Sequence, residues 1–306
     1  MDEHELAWAA GFFDGDGWAA SVRDRRRTRG QPHAQINQAG PDGVPEVLKR
    51  FRDAVGVGRV AGPRIEDGRK DLYWWVASSR GDVRRTGELI GPWLSSGKRG
   101  QFGSAVGIAF DLRPLDSFAW AAGLFDAEGT VSLSNHHSHA DHKVIEASIT
   151  QGGDRSTPEV LIRIRELVGR GNINGPYSQA GANQLVYRWR ASRPDDVRTL
   201  LHLIDPWLGE VKRIQAMSAL RIIDAQPVLP RGRVEWGSHK AHCIHGHEYA
   251  TARLRPYRSR GGTQRRDSKQ CLVCSREQAR VRGSAQTKIG GPSAADPSTT
   301  DSSATC

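Results

Sequence analysis

Cysteine is absent from the first 240 residues of this 306-residue chain, and all four cysteines lie beyond that point. The first 240 residues therefore fold without a disulfide. The chain also lacks an apolar run of about 18 residues, which is the length needed for a membrane-spanning helix. Its acidic N-terminus lacks the pattern of a signal peptide. These absences predict an intracellular, cytoplasmic protein that does not cross a membrane.

Acidic residues are fewer than basic ones, with 34 Asp and Glu against 44 Lys and Arg, and the net charge is +10. An excess of positive charge suits a polyanionic partner, of which nucleic acid is the commonest, and a DNA partner implies association with the nucleoid. Charge alone is equally compatible with a soluble basic protein of another kind. The length leaves room for two domains of ordinary size and a tail.

Two stretches of the chain, residues 6–17 and 118–129, match position for position. Small residues recur at every fourth position in both copies, which places them on one face of a helix. They are Ala7, Gly11 and Gly15 in the first copy and Ala119, Gly123 and Ala127 in the second. A row of such residues lets two helix backbones touch. The bulkier residues beside this row are expected to anchor each helix in its own half: Trp8, Phe12 and Phe13, and Trp120, Leu124 and Phe125.

Each predicted helix ends at a glycine, Gly17 or Gly129, directly after an acid, Asp16 or Glu128. A carboxylate at a helix C-terminus faces the negative end of the helix dipole. If the two helices pack together, the two acids also face each other, which would raise a pKa or recruit a cation. The alternative is ordinary turn chemistry. Because the acid–glycine ending occurs in both copies, we favour a divalent metal site.

These stretches resemble the LAGLIDADG motif of homing endonucleases, with residues 9–17 and 121–129 as the two nine-residue motifs. Two motifs in one chain resemble the monomeric, pseudo-symmetric branch of that family. Glu128 departs from the commoner aspartate, but glutamate occurs there in active family members. The resemblance implies a monomer that binds double-stranded DNA and hydrolyses its phosphodiesters at a specific site.

The rest of the two halves also repeats, so the chain carries an internal duplication. Matching segments include Pro45–Leu48 with Pro158–Leu161, Asp82–Arg84 with Asp196–Arg198, and Pro92–Leu94 with Pro206–Leu208. The pattern predicts an α+β protein with two pseudo-two-fold-related αββαββα halves, followed by a small C-terminal zinc-binding module. The expected division is 1–110 for the first half, 111–117 for a linker, 118–225 for the second half, 226–240 for another linker, 241–282 for the basic zinc module and 283–306 for a disordered tail.

Four strands in each half would form an antiparallel sheet with one solvated face, whose polar side chains can reach base edges and phosphates. By the resemblance, the two sheets form a curved saddle over an asymmetric target. The candidate DNA contacts are Arg26, Gln35, Asn37, Arg64 and Arg69, and His136, Ser148, Thr150, Arg188 and Arg190. A slip of one residue would move a strand's set to the other face. The basic tip at residues 23–29 could instead be a solvated loop, and the histidines at 136–142 a metal site, although we favour a hairpin tip there.

Phosphodiester hydrolysis needs an activated water, charge neutralisation and a stabilised leaving oxygen, which two divalent ions can supply. Asp16 and Glu128 are the candidate ligands for Mg²⁺, with two or more ions per active site. By the resemblance, the carbonyls of Gly15 and Ala127 assist, Gln38 and Gln151 order water, and Lys98 and Lys212 stabilise charge. Ordinary surface polarity would also explain these glutamines and lysines. The resemblance further implies cutting across the minor groove with short 3′ overhangs.

Ligands of the kind that bind zinc appear near the C-terminus as Cys-x3-His and Cys-x2-Cys, namely Cys243, His247, Cys271 and Cys274. A basic spacer between them cannot build a core alone, so one structural Zn²⁺ is a reasonable staple. His245 could replace His247, and four unrelated residues are the alternative. Cys306 is left over in the predicted disordered tail.

We therefore predict a magnesium-dependent, site-specific DNA endonuclease with an appended zinc module. A non-catalytic DNA-binding regulator on the same fold is one alternative, although regulators of that type usually lose the motif acids. An RNA maturase is another, and it would keep them.

Overall fold

The computed structural model describes residues 2–23, 30–65, 67–68, 70–110, 114–136, 139–154, 156–178, 185–227, 247–248, 253–258, 265–277 and 280. It contains two compact units, Met1–Pro227 and Val228–Cys306, which are described separately below. Within the described residues, no helix combines the length and hydrophobicity needed to cross a membrane. The finer division of the first unit into two halves and a linker follows the sequence repeat and stays a prediction.

The first half of the first unit runs from α1 to α4. Its elements are α1 (Glu3–Asp16), β1 (Gly17–Val22), β2 (Gln31–Ala39), α2 (Glu46–Val55), β3 (Arg59–Arg64), β4 (Leu72–Ala77), α3 (Arg80–Ile90) and α4 (Ser96–Val106). The second half repeats this order. Its elements are α5 (Phe118–Glu128), β5 (Gly129–His136), β6 (His139–Gly153), α6 (Glu159–Val168), β7 (Asn172–Ser178), β8 (Leu185–Ala191), α7 (Pro194–Ile204), a 3₁₀ turn (Asp205–Trp207) and α8 (Glu210–Asp224).

Each half contains one four-stranded antiparallel sheet, with the strand order β1-β2-β4-β3 in the first half and β5-β6-β8-β7 in the second. The two orders are the same, which confirms the predicted α+β fold of two like halves. Each half ends with a helix beyond the αββαββα pattern. In the first half this additional helix is α4, which begins at Ser96.

Alternating burial places one face of each sheet against helices. In β2 the side chains of Pro32, Ala34 and Ile36 are buried, while Gln35 and Asn37 belong to the other face. Helix α2 covers the buried face with an apolar stripe, and its Phe51 ring contacts Trp75 of β4 edge-on at 4.8 Å between centroids. This pattern is the one expected for a sheet with one solvated face.

Helices α1 and α5 are buried on almost every side, from Leu6 to Asp14 and from Ala119 to Asp126. Apolar residues surround both helices instead of forming one stripe, which is typical of a helix in the centre of a fold. Trp8 and Trp120 are fully buried within them. The two helices therefore form the centre on which both sheets and their outer helices are assembled.

Both central helices end at the predicted glycines, but for a different physical reason from the one that the sequence suggests. Gly17 and Gly129 have φ values of −81° and −72°, which any residue can adopt. A Cβ at Gly17 would lie 2.4 Å from the ring of Phe13, and a Cβ at Gly129 would lie 2.4 Å from the ring of Phe125. The glycines are therefore required by the close approach of an aromatic ring and not by a left-handed backbone.

The second unit contains an antiparallel hairpin of β9 (Arg253–Arg258) and β10 (Arg265–Gln270). Its register pairs Arg253 with Gln270 and Arg258 with Arg265. The predicted disordered tail, 283–306, lies outside the described residues, as does most of the predicted linker at 226–240.

Candidate functional site

The predicted small-residue row is the contact between α1 and α5. A Cβ added at Gly11 would lie 1.9 Å from the Trp120 carbonyl oxygen, and one at Gly123 would lie 1.9 Å from the Trp8 carbonyl oxygen. At the C-terminal end of the row, a Cβ at Gly15 would lie 2.4 Å from Cβ of Ala127. The two backbones therefore touch along their length, as the sequence predicts, and this contact carries the two helix ends to the same place.

The two motif acids meet at these helix ends. Burial, followed by repulsion from Glu128, raises the pKa of Asp16 from 3.8 to about 7. Burial also raises the pKa of Glu128, although Gln151 and two nearby lysines partly offset it. A pair of facing, half-buried carboxylates binds protons more readily than usual because its negative charges are poorly solvated.

A glutamine from the second strand of each sheet approaches each acid. The Gln38 amide donates a short hydrogen bond to Asp16 Oδ2. Gln151 lies beside Glu128 and lowers the pKa of that carboxyl. However, the buried amide nitrogen of Gln151 makes no hydrogen bond of normal geometry to the described residues. Each acid therefore has one glutamine amide beside it.

A lysine from the last helix of each half completes the group. Lys98 Nζ donates to the Gly17 carbonyl oxygen, and Lys212 Nζ donates to the Gly129 carbonyl oxygen at 2.6 Å. Burial lowers the pKa of both lysines, while the nearby acids act in the opposite direction. The structure thus brings together the six side chains predicted as catalytic: Asp16, Glu128, Gln38, Gln151, Lys98 and Lys212.

The donors fit a hard divalent cation. Two facing carboxylates with raised pKa values lose their mutual repulsion when a cation lies between them, and oxygen ligands are those that Mg²⁺ prefers. Gly15 and Ala127 lie against each other one residue before the acids, so their carbonyl oxygens belong to the same region. The ligand set Asp16, Glu128, Gly15 and Ala127 stays a prediction.

Two further acids, Asp14 and Asp126, lie in α1 and α5 two residues before the motif acids. They were not predicted as site residues from the sequence. Asp14 Oδ2 accepts the indole N–H of Trp120 at 2.8 Å, and Asp126 Oδ2 accepts that of Trp8 at 2.8 Å. The tryptophans therefore reach the opposite half instead of anchoring only their own, which corrects the prediction made for them. The signal was present in the repeat, because the aspartate and the tryptophan recur in both copies.

The outer face of the first sheet carries a row of polar side chains on β2. His33 Nε2 lies 2.9 Å from Gln35 Oε1, and the Gln35 amide donates to Asn37 Oδ1 at 2.6 Å. Trp18 of β1 stacks on His33 with 5.0 Å between ring centroids. Gln35 and Asn37 lie on the face that the sequence predicts. Arg64 is exposed at the end of β3, whereas Arg26 and Arg69 lie outside the described residues.

The outer face of the second sheet has a different chemistry. Glu146 lies between Arg188 and Arg190, with N–O distances of 3.6 Å and 3.5 Å, and Arg188 also donates to Thr150 at 3.3 Å. The arginines are about half exposed. The sequence reading did not single out Glu146, which reduces the net charge of this face. The two sheets therefore differ in the chemistry of their outer faces, and the asymmetric target stays a prediction.

Ser148 and His136, two further predicted DNA contacts, lie in β6 and at the end of β5. Ser148 belongs to the outer face but is only 6% exposed, because Thr130 and Arg190 flank it in the neighbouring strands. The contact from Ser148 to DNA stays a prediction, and its side chain has little exposed surface for it. His136 lies at the end of β5, with its ring 6.2 Å from that of His142.

A second cluster of chemically active groups lies in the unit Val228–Cys306. The ligand atoms of His247, Cys271 and Cys274 all lie within 4.8 Å of one another. His247 Nδ1 is 3.3 Å from Cys274 Sγ and 3.7 Å from Cys271 Sγ. Tetrahedral zinc with ordinary Zn–S and Zn–N bonds separates these atoms by about 3.6 Å. The three side chains therefore have the spacing of a zinc site, and Cys243 lies outside the described residues.

Comparison with solved structures identifies the fold of the first unit. The LAGLIDADG meganuclease I-AabMI bound to uncleaved DNA aligns with a TM-score of 0.54 and 17% identity, over 72% of this chain and 90% of its own. I-CpaMI, also bound to uncleaved DNA, gives 0.52 and 13%, over 73% and 91%. I-GzeII in complex with a DNA target gives 0.50 and 13%, over 72% and 89%.

No family sequence profile matches the chain, and no curated protein matches it. The chain nevertheless aligns with these three structures over 72–73% of its own length and 89–91% of theirs. The chain therefore has the fold of the LAGLIDADG homing endonucleases.

Proposed function

We propose that this chain is a monomeric, site-specific endonuclease that uses a divalent metal ion to cut both strands of double-stranded DNA. The observation that carries the proposal is the meeting of Asp16 and Glu128 at the ends of two touching helices. Each acid has a glutamine beside it, each helix end binds one lysine through its terminal carbonyl, and both lysines act on both acids. Two like sites in one chain suit the cutting of two strands, so one protomer is sufficient.

In this mechanism Asp16 and Glu128 would hold the divalent ions, assisted by the carbonyl oxygens of Gly15 and Ala127. A bound Mg²⁺ would supply a water of lowered pKa and would neutralise charge on the phosphate. The positive charge of such an ion would also favour the ionised form of both acids, whose pKa values are raised in its absence.

Gln38 and Gln151 orient the water, because their amides lie beside the acids and can donate or accept a hydrogen bond. Lys98 and Lys212 keep a positive charge near the phosphate oxygens. Each ammonium group is fixed by the terminal carbonyl of the helix that bears the acid, at Gly17 or Gly129. A fixed charge stabilises developing negative charge without reorganisation during the reaction.

The two sheet faces would bind the duplex on either side of the cut. Amide side chains such as Gln35 and Asn37 suit adenine edges, and guanidinium groups such as those of Arg188 and Arg190 suit guanine edges and phosphates. The neighbours I-AabMI, I-CpaMI and I-GzeII were each solved with DNA, which supports this use of the fold.

The proposal is tested by incubating the full chain with a pool of duplexes of randomised sequence in Mg²⁺. We expect cleaved products that share one asymmetric sequence, and we expect Ca²⁺ to support binding of the same sequence. Enrichment of bound but uncut duplexes in Mg²⁺ would instead indicate a regulator. Binding to RNA with no cleaved DNA would indicate a maturase.

For the second unit we propose one structural zinc ion, held by His247, Cys271 and Cys274 together with Cys243. The proposal rests on the sulfur–nitrogen separations of 3.3 and 3.7 Å. The ion would fasten the end of the β9–β10 hairpin, because Cys271 directly follows β10. The hairpin is rich in arginine, and arginines add sequence-independent, salt-dependent affinity for phosphates.

We expect about one zinc per chain by elemental analysis, as one set of four ligands requires. The double variant Cys271→Ser with Cys274→Ser should lose the zinc, whereas the control Cys306→Ser should keep it. Removal of residues 228–306 should weaken DNA binding and reduce its dependence on salt, while the cleavage position stays the same. A zinc-free wild-type chain, or a shifted cleavage position, would contradict this assignment.

A further inference from the structure

We propose that each half of the first unit positions the lysine of the other half, with Asp14 and Asp126 acting as positioning residues. The role of the lysines in cleavage rests on the proposed function. The crossing contacts do not depend on it, because they are features of the fold.

Asp14 connects the second half of the chain to the helix that carries Lys98. Its carboxylate accepts the Trp120 indole N–H at 2.8 Å, the Ser95 backbone N–H at 3.0 Å and the Ser95 hydroxyl at 2.7 Å. Ser95 is the N-cap residue of α4, and its hydroxyl makes no bond to its own helix. The buried carboxylate of Asp14 thus fixes the start of α4, where the helix dipole favours a negative charge.

Asp126 makes the equivalent connection to the helix that carries Lys212. It accepts the Trp8 indole N–H at 2.8 Å and the backbone N–H of Gly209, the N-cap residue of α8, at 2.8 Å. Trp8 belongs to the first half, and Gly209 and Lys212 belong to the second. The two connections therefore run in opposite directions across the contact between α1 and α5.

Two arginines strengthen the crossing. The guanidinium of Arg163 lies 3.8 Å from the centroid of the Trp120 ring and donates to the Trp93 carbonyl oxygen, two residues before Ser95, at 3.0 Å. The guanidinium of Arg50 lies 4.0 Å from the Trp8 ring and donates to the Trp207 carbonyl oxygen, two residues before Gly209, at 2.7 Å. Each half thus contacts the segment that precedes the lysine helix of the other half, through a tryptophan-bound aspartate and through an arginine.

The position of each lysine depends on where its helix begins. Each lysine lies three residues beyond the N-cap residue, within the first turn of its helix. A shift at the N-cap moves the lysine directly, and misplacement by about 1 Å can slow a reaction roughly a hundredfold. We infer that the two sites are not independent, since the first site is built partly by the second half and the second site partly by the first.

The test is a matched pair of variants, Trp120→Phe and Trp8→Phe, each of which removes one indole N–H and keeps an aromatic ring. In metal-free protein labelled with ¹⁵N on lysine, Trp120→Phe should shift the Lys98 side-chain resonance and leave that of Lys212. Trp8→Phe should do the reverse. Lys98→Arg and Lys212→Arg assign the two signals. Shifts of both resonances by both variants, or of neither, would overturn the proposal.

A second measurement uses a duplex that the wild-type chain has selected from the randomised pool, labelled on each strand in turn. The two variants should slow opposite strands by about ten- to a hundredfold and leave the other strand within about twofold. Equal slowing of both strands would refute the crossed arrangement. If the wild-type chain cuts no duplex, the proposed function fails, and the lysine resonances still decide the positioning.

Serine variants keep the proposal testable if a tryptophan variant does not fold. Ser95→Ala removes only the hydroxyl contact to Asp14 and should shift the Lys98 resonance. Ser79→Ala removes the capping bond to the backbone N–H of Asp82 in α3 and is the matched control. It should leave both lysine resonances in place. A Lys98 signal that is unchanged in Ser95→Ala, or shifted as much in Ser79→Ala, would count against Asp14 as a positioning residue.

Discussion

Replacing Asp16 by asparagine, or Glu128 by glutamine, is expected to abolish double-strand cleavage and to leave specific DNA binding largely intact. Each change removes a charge that would bind the metal ion and hardly alters the volume of the side chain. We expect the cleavage rate on a selected duplex to fall by at least about a thousandfold, the upper range for losing one charge-stabilising group. The rate is measured in Mg²⁺ and the affinity in Ca²⁺.

A matched control is Asp53→Asn at the end of α2, where the carboxylate is 65% exposed and pairs with Arg52. This variant should cut at the rate of the wild-type chain. If Asp16→Asn or Glu128→Gln also cuts both strands at that rate, the metal site lies elsewhere and the proposed function loses its central observation.

The free energy of unfolding shows whether Asp16→Asn loses cleavage because the metal-binding charge is missing or because the variant is less stable. Because burial raises the pKa of Asp16 from 3.8 to about 7, the folded chain binds an extra proton between those pH values. Without metal, the contribution of this group to stability therefore decreases as the pH rises from about 4 to 7. Asp16→Asn should reduce that slope by the contribution of Asp16, while the raised pKa of Glu128 keeps part of it. The melting temperature of this variant at pH 8 should not fall below that of the wild-type chain.

The sequence repeat was sufficient to predict the architecture because duplication marks every element twice. The order of helices and strands, the touching small-residue row and the meeting of Asp16 with Glu128 all follow from matched positions in the two copies. Residues of the same type at the same place in each half, such as Lys98 and Lys212, could likewise be assigned to one centre before any coordinates were known.

Contacts between distant segments could not be predicted in the same way. Asp14 bonds to Ser95 and Trp120, and nothing in local periodicity connects these residues. The shielding of Ser148 depends on its neighbours across two strands, and the pairing of Glu146 with two arginines depends on strand register. These features are set by tertiary packing, which cannot be predicted from the sequence pattern of a single strand or helix.

Gly11→Ala is expected to be strongly destabilising, because it adds a methyl group where α1 and α5 are in backbone contact. The new Cβ would lie 1.9 Å from the Trp120 carbonyl oxygen and 2.8 Å from the Leu124 amide nitrogen. Both are backbone atoms of a helix, so no change of rotamer can relieve the clash and α1 must move away from α5. Overpacking usually costs about 1–3 kcal/mol, and we expect the upper end or more here.

The control is Gly100→Ala in α4, where an added Cβ meets no atom within 4 Å. Alanine is favoured over glycine within a helix by up to about 1 kcal/mol, so this variant should be as stable as the wild-type chain or more so. Gly123→Ala should match Gly11→Ala, because its Cβ would lie 1.9 Å from the Trp8 carbonyl oxygen. The measurement is urea or thermal unfolding of all three variants in metal-free buffer.

Separation of α1 from α5 would also draw Asp16 away from Glu128, so a Gly11→Ala chain that still folds should bind Mg²⁺ and cut DNA poorly. An unchanged unfolding midpoint for Gly11→Ala would mean that the two helices do not touch at this row.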